Sequence, residues 1–372
     1  MAIGGDWQER FKRLFTVSLS EFNPFKQEES FVCVDIGSNS VKVVEARPVG
    51  KSIEIMKWGA LPAPVAAIQS NMVAEPERVG EVIRSLIESR GITARRAITA
   101  VPGPAVMIKR VTLPGQGAAE LANTIVFEAG NFIPEDLENV NLDYQVIDQN
   151  EETKQMEVLL VGAKKDIVAT FGDALRAGGL TPAVIDVDYF ALDNMYELNY
   201  DPQPNQVVAL VNIGARYSSI NILKGGRSTF TGDVPVGGRD ITEALTRDLG
   251  ISVEEAERLK GGEQLEAVDP EQVSMALGPA TDALIEEIHY ALSFFWTAAT
   301  DERIDALFLS GGSASVPELC QRLAERAEAP VEIADPFARV SFAAGVEADK
   351  LRARGPEFAI AMGLAVRRPG DK

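Results

Sequence analysis

The sequence predicts an α/β protein made of two similar halves that face a common ligand. Three observations carry that expectation: a strand-turn-strand unit occurs twice, strands and helices alternate in both halves, and 372 residues exceed what one hydrophobic core holds. The first unit is Val32-Cys33-Val34-Asp35-Ile36-Gly37-Ser38-Asn39-Ser40-Val41-Lys42-Val43-Val44-Glu45. The second is Val207-Val208-Ala209-Leu210-Val211-Asn212-Ile213-Gly214-Ala215-Arg216-Tyr217-Ser218-Ser219-Ile220-Asn221-Ile222-Leu223. Each has apolar flanks, a polar residue at the strand end, an Ile-Gly step and a short polar turn. They lie almost half a chain apart, too far for a solenoid repeat.

The turn residues suit phosphate. Glycine lets backbone approach a ligand, and hydroxyls and turn N–H groups cradle oxyanions. Lys42 supplies a compact positive charge, and Asp35 at the strand end suits a hydrated cation. Either copy alone also reads as an ordinary hairpin with a polar turn; the pair is what points to a ligand.

Composition narrows the classes. Hydrophobic content of 46% and charged content of 24% describe a packed globular protein. A net charge of −19 argues against nucleic-acid binding and favours solubility. Two cysteines, Cys33 and Cys320, exclude a disulfide framework, and one histidine, His289, argues against histidine metal clusters and Ser-His or Cys-His catalysis. No apolar run approaches the ~20 residues of a bilayer span, and the N-terminus lacks a secretory apolar region, so the expectation is a reducing cytoplasmic setting.

In chain order, residues 1–30 form an arm in which Trp7, Phe11, Leu14 and Phe15 recur at helical spacing among Arg10, Lys12 and Arg13. It reads as a basic amphipathic helix for a membrane surface or partner, or as an unanchored terminal arm. After the first unit comes a strand over 52–58, a helix over 76–90 capped by Gly91, and a strand over 97–101. Residues 102–185 read as an inserted subdomain: a strand over 106–113, a helix over 118–132, a hairpin over 142–147 and 156–163, and a helix over 165–177. The strand Ala183–Asp188 carries Asp186 and Asp188 on one face, either as surface acids or as carboxylates aimed into a cleft.

In the second half, Gly237-Gly238 precedes a helix, a plain turn or a place where phosphate meets a helix N-terminus. Ser252 and Glu255 form a capping box. Glu257 and Lys260 share a helix face, as a surface pair or a ribose contact. A long helix over 271–299 is expected to kink at Gly278-Pro279. Ser310-Gly311-Gly312-Ser313 leads from a strand to a helix beginning at Val316, offering a bare backbone for a flat ring or a simple turn. The closing segment 358–367 reads as a small-residue helix whose Gly363 signals close packing.

The order of these motifs resembles the superfamily of actin, sugar kinases and heat-shock chaperone ATPases. Within it the 102–185 insert is similar to that of the FtsA cell-division family and, more closely, the PilM family of type IV pilus assembly proteins. The resemblance implies an actin-like (ribonuclease H-like) bilobed fold with two duplicated α/β domains. The first lobe would be 31–101 with 186–205 and 340–367; the insert 102–185; the second lobe 206–339, with a small subdomain at about 241–280. It implies ATP or ADP with Mg²⁺. Asp35, Gly37, Ser38, Asn39, Ser40 and Lys42 would form one phosphate loop, and Asn212, Gly214, Arg216 and Ser218 the other. Gly311, Gly312 and Ser313 would meet the adenosine, Glu257 and Lys260 the ribose, with Gly237 and Gly238 near a phosphate. Asp35 and Asp188 would act as catalytic and metal-holding carboxylates. Asn212 stands where the superfamily has aspartate, which implies ATP binding with slow or no turnover.

The same resemblance implies a cytoplasmic adaptor, peripheral at the inner membrane, that binds the N-terminal tail of PilN and links it to the pilus motor and platform proteins. Its peptide groove would lie near 98–112 and 184–192. Self-association is left open, and no nucleic acid is expected. Two alternatives remain: an FtsA-like filament-forming ATPase and a small-molecule kinase of the same superfamily.

Overall fold

The computed structural model describes residues 30–371 except 51, 116, 151 and 299–301. All but the last residue of the 1–30 arm, and with it the amphipathic pattern, lies outside the described residues.

The chain opens with an antiparallel meander, β1 (Phe31–Ile36), β2 (Ser40–Val49) and β3 (Ser52–Pro62). A short ladder of β4 (Ile68–Gln69) and β5 (Met72–Val73) and the helix Pro76–Ser89 lead to β6 (Arg96–Val101), parallel to β1. The helix forms because Val79, Ile83, Leu86 and Ile87 make one buried stripe. The chain then leaves for a three-stranded sheet of β7 (Val106–Pro114), β8 (Val140–Asn150) and β9 (Gln155–Lys164), ordered β7-β9-β8. The helix Ala118–Phe132 covers it through Leu121 and Ile125. The helix Lys165–Ala177 returns the chain, and β10 (Thr181–Val187) lies parallel to β6.

The segment 102–185 therefore divides. Its last helix and strand pack with the first sheet, where Phe171, Ala174, Leu175 and Leu180 join Val79, Ile83 and Leu86 in one core. Close helix contact holds them: a Cβ on Gly80 would stand 2.4 Å from Ala177 Cβ.

The second half repeats the plan. β11 (Val207–Ile213), β12 (Ser218–Lys224) and β13 (Arg227–Val234) form a meander. Helices Gly238–Leu249, Val253–Lys260 and Pro270–Ala298 follow; the second carries the expected Ser252/Glu255 capping box. β14 (Ala306–Ser310) and β15 (Val331–Ile333) add parallel strands, separated by the helix Leu319–Ala327. β16 (Ser341–Phe342) returns to the free edge of β3. The order β13-β12-β11-β14-β15 matches β3-β2-β1-β6-β10 strand for strand and in direction. The structure is an α/β fold with an internal duplication.

Two helices, Asp188–Asn199 and Ala359–Leu364, lie between the sheets. They share one core with Cys33, Val44 and Ile98 of the first half and Val208, Leu210 and Phe308 of the second. Phe358 and Met362 are wholly buried there; each side chain contributes about 1.5–3 kcal/mol. A Cβ on Gly363 would fall 1.6 Å from Ala191 O. Only glycine permits that helix crossing, as the sequence pattern anticipated.

Two local expectations change. β10 ends at Val187, and Asp188 is the first residue of the next helix, so Asp186 and Asp188 do not share a strand face. The helix after Ser313 begins at Leu319 rather than Val316, because Glu318 takes a left-handed conformation with φ of 61°. The long helix is continuous through Pro279, and Arg322 Nη1 donates to Gly278 O at 3.3 Å beside it.

Candidate functional site

The two turns have the same hydrogen-bond frame. Gly37 N–H donates to Ser40 O at 3.1 Å, and Gly214 N–H donates to Tyr217 O at 3.1 Å. Ile36 pairs with Val41 and Ile213 with Ser218, so both loops span four residues. One pair further out, Asp35 faces Lys42 and Asn212 faces Ser219. Side chains alternate along a strand, so Lys42 corresponds to Ser219, while Ser218 corresponds to the core residue Val41.

Both turns open on one cavity of about 480 Å³, within the usual range of small-molecule sites. Asp35, Gly37, Ser38, Asn39, Ser40 and Lys42 line it from the first turn; Asn212, Gly214 and Arg216 line it from the second. Asp188, Glu257, Lys260, Gly311, Gly312 and Ser313 complete the wall. Residues from distant parts of the chain meet because each sits at the end of a strand or the start of a helix in one of the duplicated sheets.

Three predicted site residues do not line it. Ser218 is fully buried, and its Oγ donates to Val236 O at 2.9 Å; the one-residue parity shift turns it into the core. Gly237 and Gly238 support the second turn instead. Gly238 N–H donates to Gly214 O and Arg239 N–H to Ala215 O, both at 2.8 Å. A Cβ on Gly237 would meet both of those oxygens at 2.7 Å, and one on Gly238 would meet Ser313 Oγ at 1.8 Å. The glycine pair lets the helix start pack behind the turn beside Ser313 Oγ; Gly238 N–H is used by the turn, and Gly237 N–H donates to Asp240 Oδ2 at 2.8 Å.

Lys42 Nζ bonds Asp35 Oδ2 at 3.0 Å, and both side chains are nearly buried. Lys260 Nζ bonds Glu257 Oε1 at 2.8 Å, Thr242 Oγ1 at 2.9 Å and Gly238 O at 3.2 Å. Lys260 is buried, so this is a cavity-wall network rather than a surface pair. Arg216 Nη1 crosses the cleft to donate to Ile68 O at 3.0 Å.

Asp188 is buried, and Tyr217 Oη donates to its Oδ2 at 2.8 Å. Burial pushes its pKa up to about 7, against the opposing pull of the Tyr217 hydrogen bond. Nearby, Tyr189 Oη donates to Asp233 Oδ1 at 2.5 Å, and burial raises Asp233 to about 6. Sequence reasoning missed Tyr217, although it lies inside the second turn. It also missed Arg354 and Glu357, an i,i+3 pair on the cavity wall that belongs to no motif.

These residues fit a phosphate-bearing ligand. The cavity has an ammonium group and turn backbone on one side and, at Gly311 and Gly312, backbone without Cβ atoms. They fit a protein-built metal centre less well. Asp35 is paired with Lys42 and Asp188 with Tyr217, and the described residues contain no group of three His, Cys, Asp or Glu able to hold a metal.

A second groove, of about 760 Å³, separates the three-stranded sheet from the first half. Its walls are β8 from Asn141 to Ile147, the end of β10, and Phe190, Asp193, Asn194 and Glu197 of the following helix. The expected 184–192 stretch is there; of 98–112 only Val101 contributes. The reason is packing: β7 spends Val106 and Ile108 on the first-half core, which leaves β8 and β9 to wall the groove.

His289 packs against the Trp296 ring at 5.2 Å, and buried Cys33 has its thiol pushed up to about 12 by desolvation. No helix among the described residues is long and apolar enough to cross a membrane.

Comparison with known proteins places this geometry. Over 256 residues the chain is 23% identical to the cell division protein FtsA of Bacillus subtilis (strain 168), covering 62% of this chain and 57% of that protein. It thus spans just over half the length of that curated relative. Its fold matches a solved PilM-PilN type IV pilus biogenesis complex with a TM-score of 0.80 and 27% identity, covering 92% of this chain and 98% of the other. The ethanolamine utilization protein EutJ from Carboxydothermus hydrogenoformans shares the fold at TM-score 0.55 and 14% identity, over 91% and 90% of the two chains. The duplicated sheets are those of the actin-like ATPase fold. The family model described as Type IV pilus assembly protein PilM matches residues 33–369, and the chain belongs to that family.

Proposed function

We propose that this chain is a nucleotide-binding adaptor of the type IV pilus platform. It takes ATP or ADP between its two turns and the N-terminal tail of PilN, as an extended peptide, in the second groove. It works in the cytoplasm at the inner membrane and links that tail to the pilus motor. The observation that carries this reading is the single cavity onto which two equivalent turns open, in a chain similar over most of its length to one from a PilM-PilN complex.

In this reading Lys42 and the turn N–H groups of both halves hold phosphate oxygens. The bare backbone of Gly311 and Gly312 takes the flat end of the ligand, and Glu257, fixed by Lys260, meets ribose hydroxyls. Mg²⁺ supplies charge neutralisation on the phosphates, held mainly by them and by water. Turnover is slow or absent. Asn212 contributes no charge beside the phosphates, and Asp188 is committed to Tyr217. Bound nucleotide then acts as a clamp between the halves, and only differential affinity drives any switch.

Titrating a fluorescent ATP analogue and a PilN-tail peptide, separately and together, tests the reading. Micromolar binding of each, with hydrolysis near background, is expected. Failure of both to bind at micromolar levels overturns it.

A further inference from the structure

Resting on the nucleotide reading above, we infer that Arg354, held flat by Glu357, is the residue that stacks on the nucleobase and adds affinity for nucleotides over bare polyphosphate. Arg354 and Glu357 line the same cavity as Gly311 and Gly312. Arg354 Nε donates to Glu357 Oε1 at 3.2 Å and its Nη2 to Oε2 at 2.6 Å. This two-point pairing fixes the guanidinium plane. The Phe358 ring stands 5.8 Å from Arg354 Cζ and supports it. The side chain keeps 40% of its exposure, so one face is available to a ligand.

Of the two glycines lining the same cavity, Gly311 has its Cβ position filled by Ile213 backbone, whereas Gly312 leaves its own open. A Cβ on Gly312 would have Glu357 Cγ 4.0 Å away as its nearest neighbour within that range. Gly311 holds φ of +91°, and its N–H donates to Pro356 O at 2.7 Å, which ties the glycine step to the segment carrying Arg354 and Glu357. A flat ring entering here meets glycine backbone and a planar cation. Ring stacking with a guanidinium is tolerant of base identity, because every base presents a π-face. The site therefore selects for a base without distinguishing strongly between purines. Lysine has no planar face, so it does not replace arginine here. Glu357 is a positioning residue that acts through Arg354.

The test measures MgATP and inorganic tripolyphosphate binding to the full chain by calorimetry. Arg354→Ala is expected to weaken MgATP about tenfold, or about 1.4 kcal/mol, and to leave tripolyphosphate unchanged. Arg354→Lys should recover little of the loss, and Glu357→Gln should give an intermediate loss for MgATP alone. Equal weakening of both ligands, or unchanged MgATP binding in Arg354→Ala, overturns the inference. Thermal unfolding of Arg354→Lys separates a lost stack from a lost fold. A wild-type chain that binds tripolyphosphate and ATP equally also overturns it. A chain that binds neither overturns the nucleotide reading beneath it.

Discussion

The turn after β1 and the turn after β11 share length, register and closing hydrogen bond, yet they carry different chemistry. The first presents an ion pair, Asp35 with Lys42, to the cavity. The second has Asn212 and Ser219 at the matching positions, and Ser219 Oγ is buried with no hydrogen-bond partner. Its strong contacts cross the cleft instead: Tyr217 to Asp188 and Arg216 to Ile68 O. One frame, used twice, has been loaded once with charge and once with inter-half bonds. The lesson is that backbone duplication does not carry duplicated chemistry; the side chains decide what each copy does.

The widest test removes what both turns share. Gly363→Ala drives a Cβ into Ala191 O and must move the helix that fixes the spacing of the halves. A loss of more than about 3 kcal/mol is expected, read as a lowered chemical-denaturation midpoint, and a near-neutral result would show that the spacing is adjustable. Next comes the asymmetry of charge. Lys42→Ala should weaken MgATP by about 1.5–3 kcal/mol, roughly tenfold to a hundredfold, whereas Ser219→Ala should leave it unchanged because that hydroxyl has no partner. Equal losses in calorimetry would erase the distinction between the turns.

Tyr217→Phe strips the hydrogen bond from a buried carboxylate and should cost about 1–3 kcal/mol in denaturant unfolding. Its counterpart in the first turn, Ser40→Ala, should cost far less. The same carboxylate sets a pH dependence. Asp188 holds its proton up to about 7 in the folded chain against 3.8 for an unperturbed group. Folded protein therefore binds more protons than unfolded protein between these values, and this contribution to stability is lost as pH rises from about 4 to about 7. Asp188→Asn should flatten that slope in melts between about pH 4 and 7; an unaltered slope would assign it to other groups such as Asp233. The smallest effect belongs to Arg216→Ala. It removes one exposed donor from Ile68 O, so a change of no more than about 1 kcal/mol is expected.

Much of this could be read from residue order. The two Ile-Gly turns, the Ser252 capping box, the Ala118–Phe132 and Lys165–Ala177 helices and the close-packing role of Gly363 follow from local pattern and appear where expected. The errors cluster where parity or partners decide. Reading Ser218 as a ligand hydroxyl missed a one-position register difference, which in a strand reverses the face. Reading Gly237-Gly238 as a ligand contact missed that Gly238 N–H bonds the second turn, Gly237 N–H bonds Asp240, and their Cα positions lie against that turn and Ser313. Strand alternation predicts one face for Asp186 and Asp188, but the strand ends between them.

By itself the sequence determined the two turns, the mixed α/β layers and the chemistry available in each motif, because those depend on neighbours within a few residues. Only the tertiary structure decided that Tyr217 holds Asp188, that Lys260 belongs to a buried network, that β8 walls the groove, and that Arg354 reaches the cavity. Those facts depend on how two sheets and the helices between them are spaced. That spacing comes from the summed packing of residues far apart in the chain, which no short window of sequence contains.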